Sequence, residues 1–314
     1  MEDIIKKPNI SNGKTIEYNG ITLKVPDGFR VYSNEGIQKE ILDKYGKIIG
    51  FDTISYRPVL IKSILKNYDT DDEKLELVFC DTGKTLIVEK SEIFSSSKIV
   101  KLSNKGMQVN SNNSRSWIDF LSNLEAINLD ILPKKKTINR LGWIDENTFI
   151  PYNNNEFELD VDDSTYSWVK SLEEKGSLIE WVHQMEKLRD NPIFRFILAT
   201  SFSAPLLKIT NTRSFVIYNW AMSKGGKTAT AHCAMSVWGL AESLKVSFDA
   251  TRVGVEGLSK IFADMPILID EKQIDNNQSK VEEIVYMFAN GKSKLRGTHT
   301  RWSTTKLKME SISN

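Results

Sequence analysis

The chain has 314 residues, with 42 Lys+Arg against 41 Asp+Glu, a net charge of +1, 40% hydrophobic and 26% charged residues. These are the values of an ordinary soluble globular protein with room for two domains, and a balance so close to neutral leaves overall charge silent about any polyanionic partner. No stretch reaches the ~18 consecutive apolar residues of a membrane span, the start Met1-Glu2-Asp3-Ile4-Ile5-Lys6-Lys7 lacks the apolar core of a signal peptide, and Cys80, Cys233, His183, His232 and His299 make no zinc-ligand cluster, so the expectation is a cytoplasmic protein with no membrane partner and buried, reduced thiols.

Residues 1–135 read as a β-rich α+β domain. Ile48 to Tyr56, Val59 to Tyr68, Lys74 to Cys80 and Lys84 to Lys90 are strand-length runs rich in β-branched and aromatic residues, and Asp81-Thr82-Gly83 supplies a hairpin turn. Lys98 to Lys105 is a short helical pattern ending at Gly106. Ser114 to Ile127 places Trp117, Phe120, Leu121 and Leu124 on one helical face. Pro133-Lys134-Lys135-Lys136 reads as a solvated linker. This domain carries no recognisable chemistry; DNA docking, protein recruitment and assembly are its open roles.

A second domain is expected over 136–314. Leu141-Gly142-Trp143-Ile144 and Thr148-Phe149-Ile150-Pro151 read as short strands joined by Asp145-Glu146-Asn147, followed by an acidic loop at Asp160-Val161-Asp162-Asp163. Helices are expected over Leu178 to Leu188 and from Asn191, an N-cap with Pro192 at the first helical position, to about Leu207. Strand and helix then alternate as in an α/β parallel sheet. Ser214 to Tyr218, Leu244 to Phe248, Pro266 to Asp270 and Thr304 to Ile312 are the strands. Thr228 to Trp238, Val255 to Phe262 and Ser279 to Ala289 are the helices.

The most informative run is Ala221-Met222-Ser223-Lys224-Gly225-Gly226-Lys227-Thr228, between the first of these strands and its helix. It fits the phosphate-binding loop: glycine-rich backbone opening a helix presents N–H groups to an anion, the lysine meets the β- and γ-phosphates, and the hydroxyl holds magnesium. Ser223, Lys224, Gly225, Gly226, Lys227, Thr228 and Ala229 are the nucleotide-binding candidates, with ATP and Mg2+ as cofactors. Downstream, Met265-Pro266-Ile267-Leu268-Ile269-Asp270-Glu271 is a buried-strand pattern ending in two carboxylates. Ligands bind at the carboxyl ends of parallel strands, so Asp270 joins Thr228 on the metal and Glu271 polarises a water for attack on the γ-phosphate. Taken alone, that pair reads as a strand followed by a solvated acidic turn.

Charge is segregated at the end of the chain. Gly291 to Lys308 holds Lys292, Lys294, Arg296, Arg301, Lys306 and Lys308 and no acid, whereas Gly239 to Asn290 has five basic and nine acidic residues. Three readings stand: a solvated loop, contact with a phosphate backbone through Lys292, Lys294 or Arg296, or an arginine, Arg296 or Arg301, completing a neighbouring subunit's site. A phosphate-loop sheet of the additional-strand type needs a further strand beyond Thr304 to Ile312, so the core reads as incomplete at its C-terminal end.

The order Leu141-Gly142-Trp143-Ile144, Phe149-Ile150-Pro151, the phosphate loop, Ser236-Val237-Trp238-Gly239, Thr251 with Gly257-Leu258, and Pro266 to Glu271 resembles one group, as do Pro26-Asp27-Gly28-Phe29 and Ile54-Ser55-Tyr56-Arg57-Pro58. It is the domain-of-unknown-function family nine-two-seven of helicase-like proteins in bacterial phages and mobile genetic elements, and the resemblance spans almost the whole chain. Some members, in staphylococcal chromosome cassettes, are replicative-type helicases related to the minichromosome maintenance ATPases. The resemblance implies an AAA+-like P-loop core, DNA, single-stranded or forked, as partner, and a homo-oligomeric ring. It also implies channel-facing lysines within Gly291 to Ser303, and Asn314 as the γ-phosphate sensor. Ala221 stands where many members have Gly, and Lys224 where small residues are commoner. The expected function is therefore an ATP-hydrolysing, DNA-acting helicase core. The alternatives are a nucleotide- or DNA-binding module without turnover and, on the same loop, a small-molecule kinase.

Overall fold

The computed structural model describes residues 7–11, 13–152, 156–219, 222, 224–247 and 252–270. They form two compact units, one from within Met1–Asn139 and Asn153–Val161, the other from within Arg140–Tyr152 and Asp162–Asn314.

The first unit is β-rich. Strands β1 (Asn9–Ser11), β2 (Thr15–Tyr18) and β3 (Ile21–Lys24) make one antiparallel sheet, and β4 (Phe29–Tyr32), β5 (Gly36–Leu42) and β6 (Ile48–Ser55) a second. These first five strands precede the first one expected from sequence, because short runs interrupted by Gly, Asn and Lys give little alternation to read. Strands β7 (Val59–Asn67), β8 (Glu73–Phe79) and β9 (Thr85–Glu89) form an antiparallel meander close to the expected bounds. A short helix α1 (Lys90–Ile93), a 3-10 turn (Ile99–Lys105) and helix α2 (Ser114–Ile127) follow.

Helix α2 buries the face its spacing predicts: Trp117, Phe120, Leu121 and Leu124 are fully buried, and the helix lies against β7. Each such side chain contributes about 1.5–3 kcal/mol by leaving water. The Phe120 ring tilts against Phe29 at a centroid distance of 5.5 Å. At the end of α2 the fully buried Asn128 accepts from the Lys24 N–H (2.8 Å) and donates to the Lys24 (2.9 Å) and Leu124 (2.8 Å) carbonyls, which ties the helix to β3.

The expected linker at Pro133 to Lys136 is instead part of strand β10 (Lys134–Ile138), parallel to β7. In the second unit β11 (Gly142–Trp143) and β12 (Phe149–Ile150) form a short hairpin; β13 (Phe157–Leu159) belongs to the first unit and pairs parallel with β10. The completed mixed sheet runs β13-β10-β7-β8-β9. Lys135 and Lys136 are compatible with an inner strand because carboxylates meet them, while Lys134 is exposed. Lys135 is ion-paired to Glu158 (2.6 Å) and Glu76 (3.2 Å), and Lys136 to Glu156 (3.0 Å).

The second unit is largely helical. Helix α3 (Asp163–Val169) starts where an acidic loop was expected, because Asp162 caps it by accepting from the Thr165 N–H at 2.9 Å. Helices α4 (Leu178–Leu188) and α5 (Pro192–Ser203) begin as expected; Asn191 caps α5 by accepting from the Ile193 and Phe194 N–H groups. Helix α6 (Leu206–Ile209) comes after Pro205. Then come α7 (Lys227–Met235), α8 (Ala241–Leu244), β14 (Lys245–Ser247), α9 (Arg252–Ile261) and β15 (Leu268–Asp270).

Strands β14 and β15 are parallel, in register Lys245↔Leu268 to Ser247↔Asp270, with α9 as the crossover. Ser214 to Tyr218, expected as a buried strand, has no ladder partner among the described residues, and Phe215 and Tyr218 are 50% and 58% exposed. A strand exists only through its neighbours; among the described residues β15 pairs with β14 alone. The expected helix over Ser279 to Ala289 and the strand over Thr304 to Ile312 lie outside the described residues.

Candidate nucleotide site

The turn before α7 is described at Met222 and from Lys224 onward. Lys224 (φ 65°) and Gly226 (φ 80°) are both in the left-handed region, and Gly226 is the N-cap of the helix. Glycine adopts that conformation without a Cβ penalty, whereas at Lys224 the same φ carries strain of about 1–3 kcal/mol, of the kind that gathers at ligand clamps. Lys227 is the first residue of α7, so its amine and the first-turn N–H groups share the positive end of the helix.

The ammonium of Lys227 folds back to donate to the Met222 carbonyl at 3.3 Å, and that carbonyl also accepts from the Gly225 N–H at 3.1 Å. Met222 thus gathers the two donors a phosphate would draw, a role that no side-chain signal in the sequence announces. Thr228 and Ala229 are exposed at the start of the helix. Thr230 donates its hydroxyl to the Gly226 carbonyl at 2.9 Å, securing the first turn.

Helix α7 is held from both sides of the unit. Ser201 of α5 donates to the Ala234 carbonyl (2.6 Å) and accepts from the Trp238 indole (3.0 Å). The Trp181 indole of α4 donates to Ser236 at 2.8 Å. Helix α7 also lies against β15, the strand that ends at Asp270. The Leu141 to Ile144 segment anchors the approach to that strand. The Leu141 N–H donates to the Ile261 carbonyl (2.7 Å), and Asp264 accepts from the Trp143 N–H (2.9 Å).

Of the residues singled out in the sequence, the structure brings Lys224, Gly225, Gly226, Lys227, Thr228 and Ala229 together in one turn and helix start; Asp270 ends β15, a strand that lies against α7. Ala221, Ser223, Glu271, Lys292, Lys294, Arg296, Arg301 and Asn314 lie outside the described residues. A cavity of about 790 Å³ opens between α4 and α7, lined by Trp181, His183, Gln184, His232, Cys233 and Ser236; it lies further along α7 and includes no residue of the turn. Cys80 is buried as expected, and burial followed by the neighbouring Asp81 charge pushes its thiol up to about 12. Cys233, expected to be buried, is half-buried beside that cavity.

The residues of the turn suit a nucleoside triphosphate. An amine, left-handed backbone at a helix start and an exposed hydroxyl are the donor and ligand types that phosphate and magnesium require. Among the described residues no group of three or more His, Cys, Asp or Glu side chains is placed to hold a metal on its own, and no helix is long and apolar enough to cross a membrane.

The family described as domain of unknown function (DUF927) matches residues 29–305, and the chain belongs to it. The chain is also similar to the solved structure of SCCmec type IV Cch, an active helicase, with a TM-score of 0.54 and 21% sequence identity. The match covers 85% of this chain and 51% of that one, so the chain spans about half the length of that structure. At this identity the likeness is one of fold. No curated protein matches the chain.

Proposed function

We propose that the chain is the ATP-binding and ATP-hydrolysing core of a helicase-like protein of a mobile element, acting on DNA. The observation that carries this reading is the turn at Lys224 to Lys227 opening a helix that lies against the strand ending in Asp270. In this reading the core over 136–314 is a P-loop, AAA+-like ATPase, and the β-rich part over 1–135 serves DNA docking or assembly. Lys227 leaves the Met222 carbonyl for the β- and γ-phosphates, and the loop amides cradle them. Thr228 and Asp270 hold Mg2+, which supplies charge neutralisation between the phosphates. Glu271 orients the attacking water and Asn314 senses the γ-phosphate. Lys292 and Lys294 meet the DNA backbone, and Arg296 or Arg301 reaches a neighbour's site in a ring.

The test is equilibrium binding of ATP with Mg2+, with turnover measured with and without single-stranded DNA. Lys227→Ala should abolish ATP binding, and undiminished binding in that variant overturns the assignment. Glu271→Gln should keep binding and lose turnover. If wild type binds ATP but turns none over at any protein concentration, the chain is a nucleotide-binding module instead. Neutralising Lys292 and Lys294 should weaken DNA binding and flatten its salt dependence.

A further inference from the structure

The first unit carries an apolar hairpin tip that its own core does not use. Strands β5 and β6 run past the sheet to a turn at Asp43 to Lys47. Tyr45, Ile49 and Leu42 are there 82%, 65% and 54% exposed, with Ile41, Ile48 and Phe51 also exposed. The tip is built rigidly. Asp43 Oδ1 accepts from the Tyr45 (2.8 Å) and Lys47 (2.9 Å) N–H groups, and the Asp43 N–H donates to the Lys47 carbonyl at 2.8 Å. Strand β6 is the outer strand of its sheet. Apolar clusters of this extent on a monomer's surface mark interaction sites.

We propose that this tip is a contact between two copies of the chain, apposed antiparallel about a two-fold axis between Ile49 and Gly50. Two observations favour a second copy. First, the tip is self-complementary. That apposition sets Lys47 against Asp52 of the other copy and Ile48 against its Phe51, twice by symmetry. Both Lys47 and Asp52 are exposed, and neither has an ion pair among the described residues.

Second, the faces agree. Ile48 pairs with Leu42 and Phe51 with Glu40 in the β5–β6 ladder, and the register shift at Ile49 puts Ile48 and Phe51 on one face of the sheet. Each copy thus offers Leu42, Ile48 and Phe51 on the same side. The shift also interrupts the edge, so the contact is made by side chains and is not a continuous ladder.

Nucleic acid fits this surface less well. Four of the six residues are aliphatic, the Arg30 guanidinium already sits 4.5 Å over the Phe51 ring, and Arg30 and Lys39 are paired with Glu40 and Asp119. The contact is closed on itself, so it makes dimers without making a ring, and it does not depend on nucleotide.

Sedimentation velocity of the full chain without nucleotide tests the proposal. Wild type should dimerise in the micromolar range, and Ile49→Asp should weaken association on the order of a hundredfold while leaving the far-UV circular dichroism unchanged. Lys47→Asp alone and Asp52→Lys alone should each associate about tenfold more weakly, and an equimolar mixture of the two should recover wild-type affinity. A wild-type chain that stays monomeric at 100 µM, a dimer indifferent to Ile49→Asp, or a mixture no tighter than its components overturns it. So does a monomer whose single-stranded DNA binding, rather than self-association, is lost with Ile49→Asp.

Discussion

Glu76 holds the mixed sheet of the first unit together, and replacing it tests how β10 came to be a strand. Its carboxylate is 6% exposed and accepts from Lys62 (2.6 Å), Ser63 (2.6 Å) and Lys135 (3.2 Å), which brings together β7, β8 and β10. Glu76→Gln keeps the shape, removes the charge and turns an –NH2 toward at least one donor. Hydrogen bonds to a charged group contribute about 1.5–3 kcal/mol each. Lys62 and Lys135 are 24% and 30% exposed at the side chain and recover part of that in water, and Lys135 keeps Glu158. The expected loss is therefore about 2–3 kcal/mol, or roughly 6–10 °C in the unfolding midpoint of a unit this size.

The pH dependence adds an independent check on Glu76. Burial pushes the carboxyl up, but the bonds from Lys62 and Ser63 and the charges of Lys135 and Lys62 outweigh it and hold it below the ordinary value of 4.5. A depressed carboxyl stabilises fully above its unfolded value and loses that contribution as pH falls through the native one. The gap between wild type and Glu76→Gln should be flat near neutrality and shrink below about pH 4.5. Thermal unfolding by circular dichroism measures it, and hydrogen exchange at the β7 and β8 amides localises it. A variant within about 0.5 kcal/mol of wild type at pH 7, or a gap that widens on acidification, refutes the reasoning.

Three further outcomes are expected. Asn128→Ala removes the bonds to Lys24 and Leu124 and leaves the part-buried Lys24 N–H and carbonyl without that partner, so chemical denaturation should show a loss of about 1–3 kcal/mol. Gly142→Ala should lower the melting point of the second unit and raise exchange at the Trp143 amide, since φ there is 104° and a Cβ would lie 2.6 Å from the Asp264 carboxylate that accepts from it. At pH 8, thiol labelling followed by mass spectrometry should modify half-buried Cys233 and spare Cys80, whose thiol stays protonated well above that pH; equal rates would contradict the burial.

Much of the scaffold could be read from local pattern. The apolar face of α2, the β7 to β9 meander and the Asn191-Pro192 start of α5 are each specified within about a dozen neighbouring residues, and the structure has them where the pattern points. The turn at Lys224 to Lys227 belongs to the same class, since its glycines and the helix behind them are local signals. Tertiary structure alone decided the rest. Lys134, Lys135 and Lys136 look like a solvated linker until Glu76 and Glu158 meet Lys135 and Glu156 meets Lys136, acids that local pattern does not link to them. Ser214 to Tyr218 looks like a buried strand, yet its exposure depends on which neighbours pair with it. Local sequence sets which conformation a segment prefers, but ladders, ion pairs and capped carbonyls such as Lys24 with Asn128 need partners that only the folded chain brings within reach.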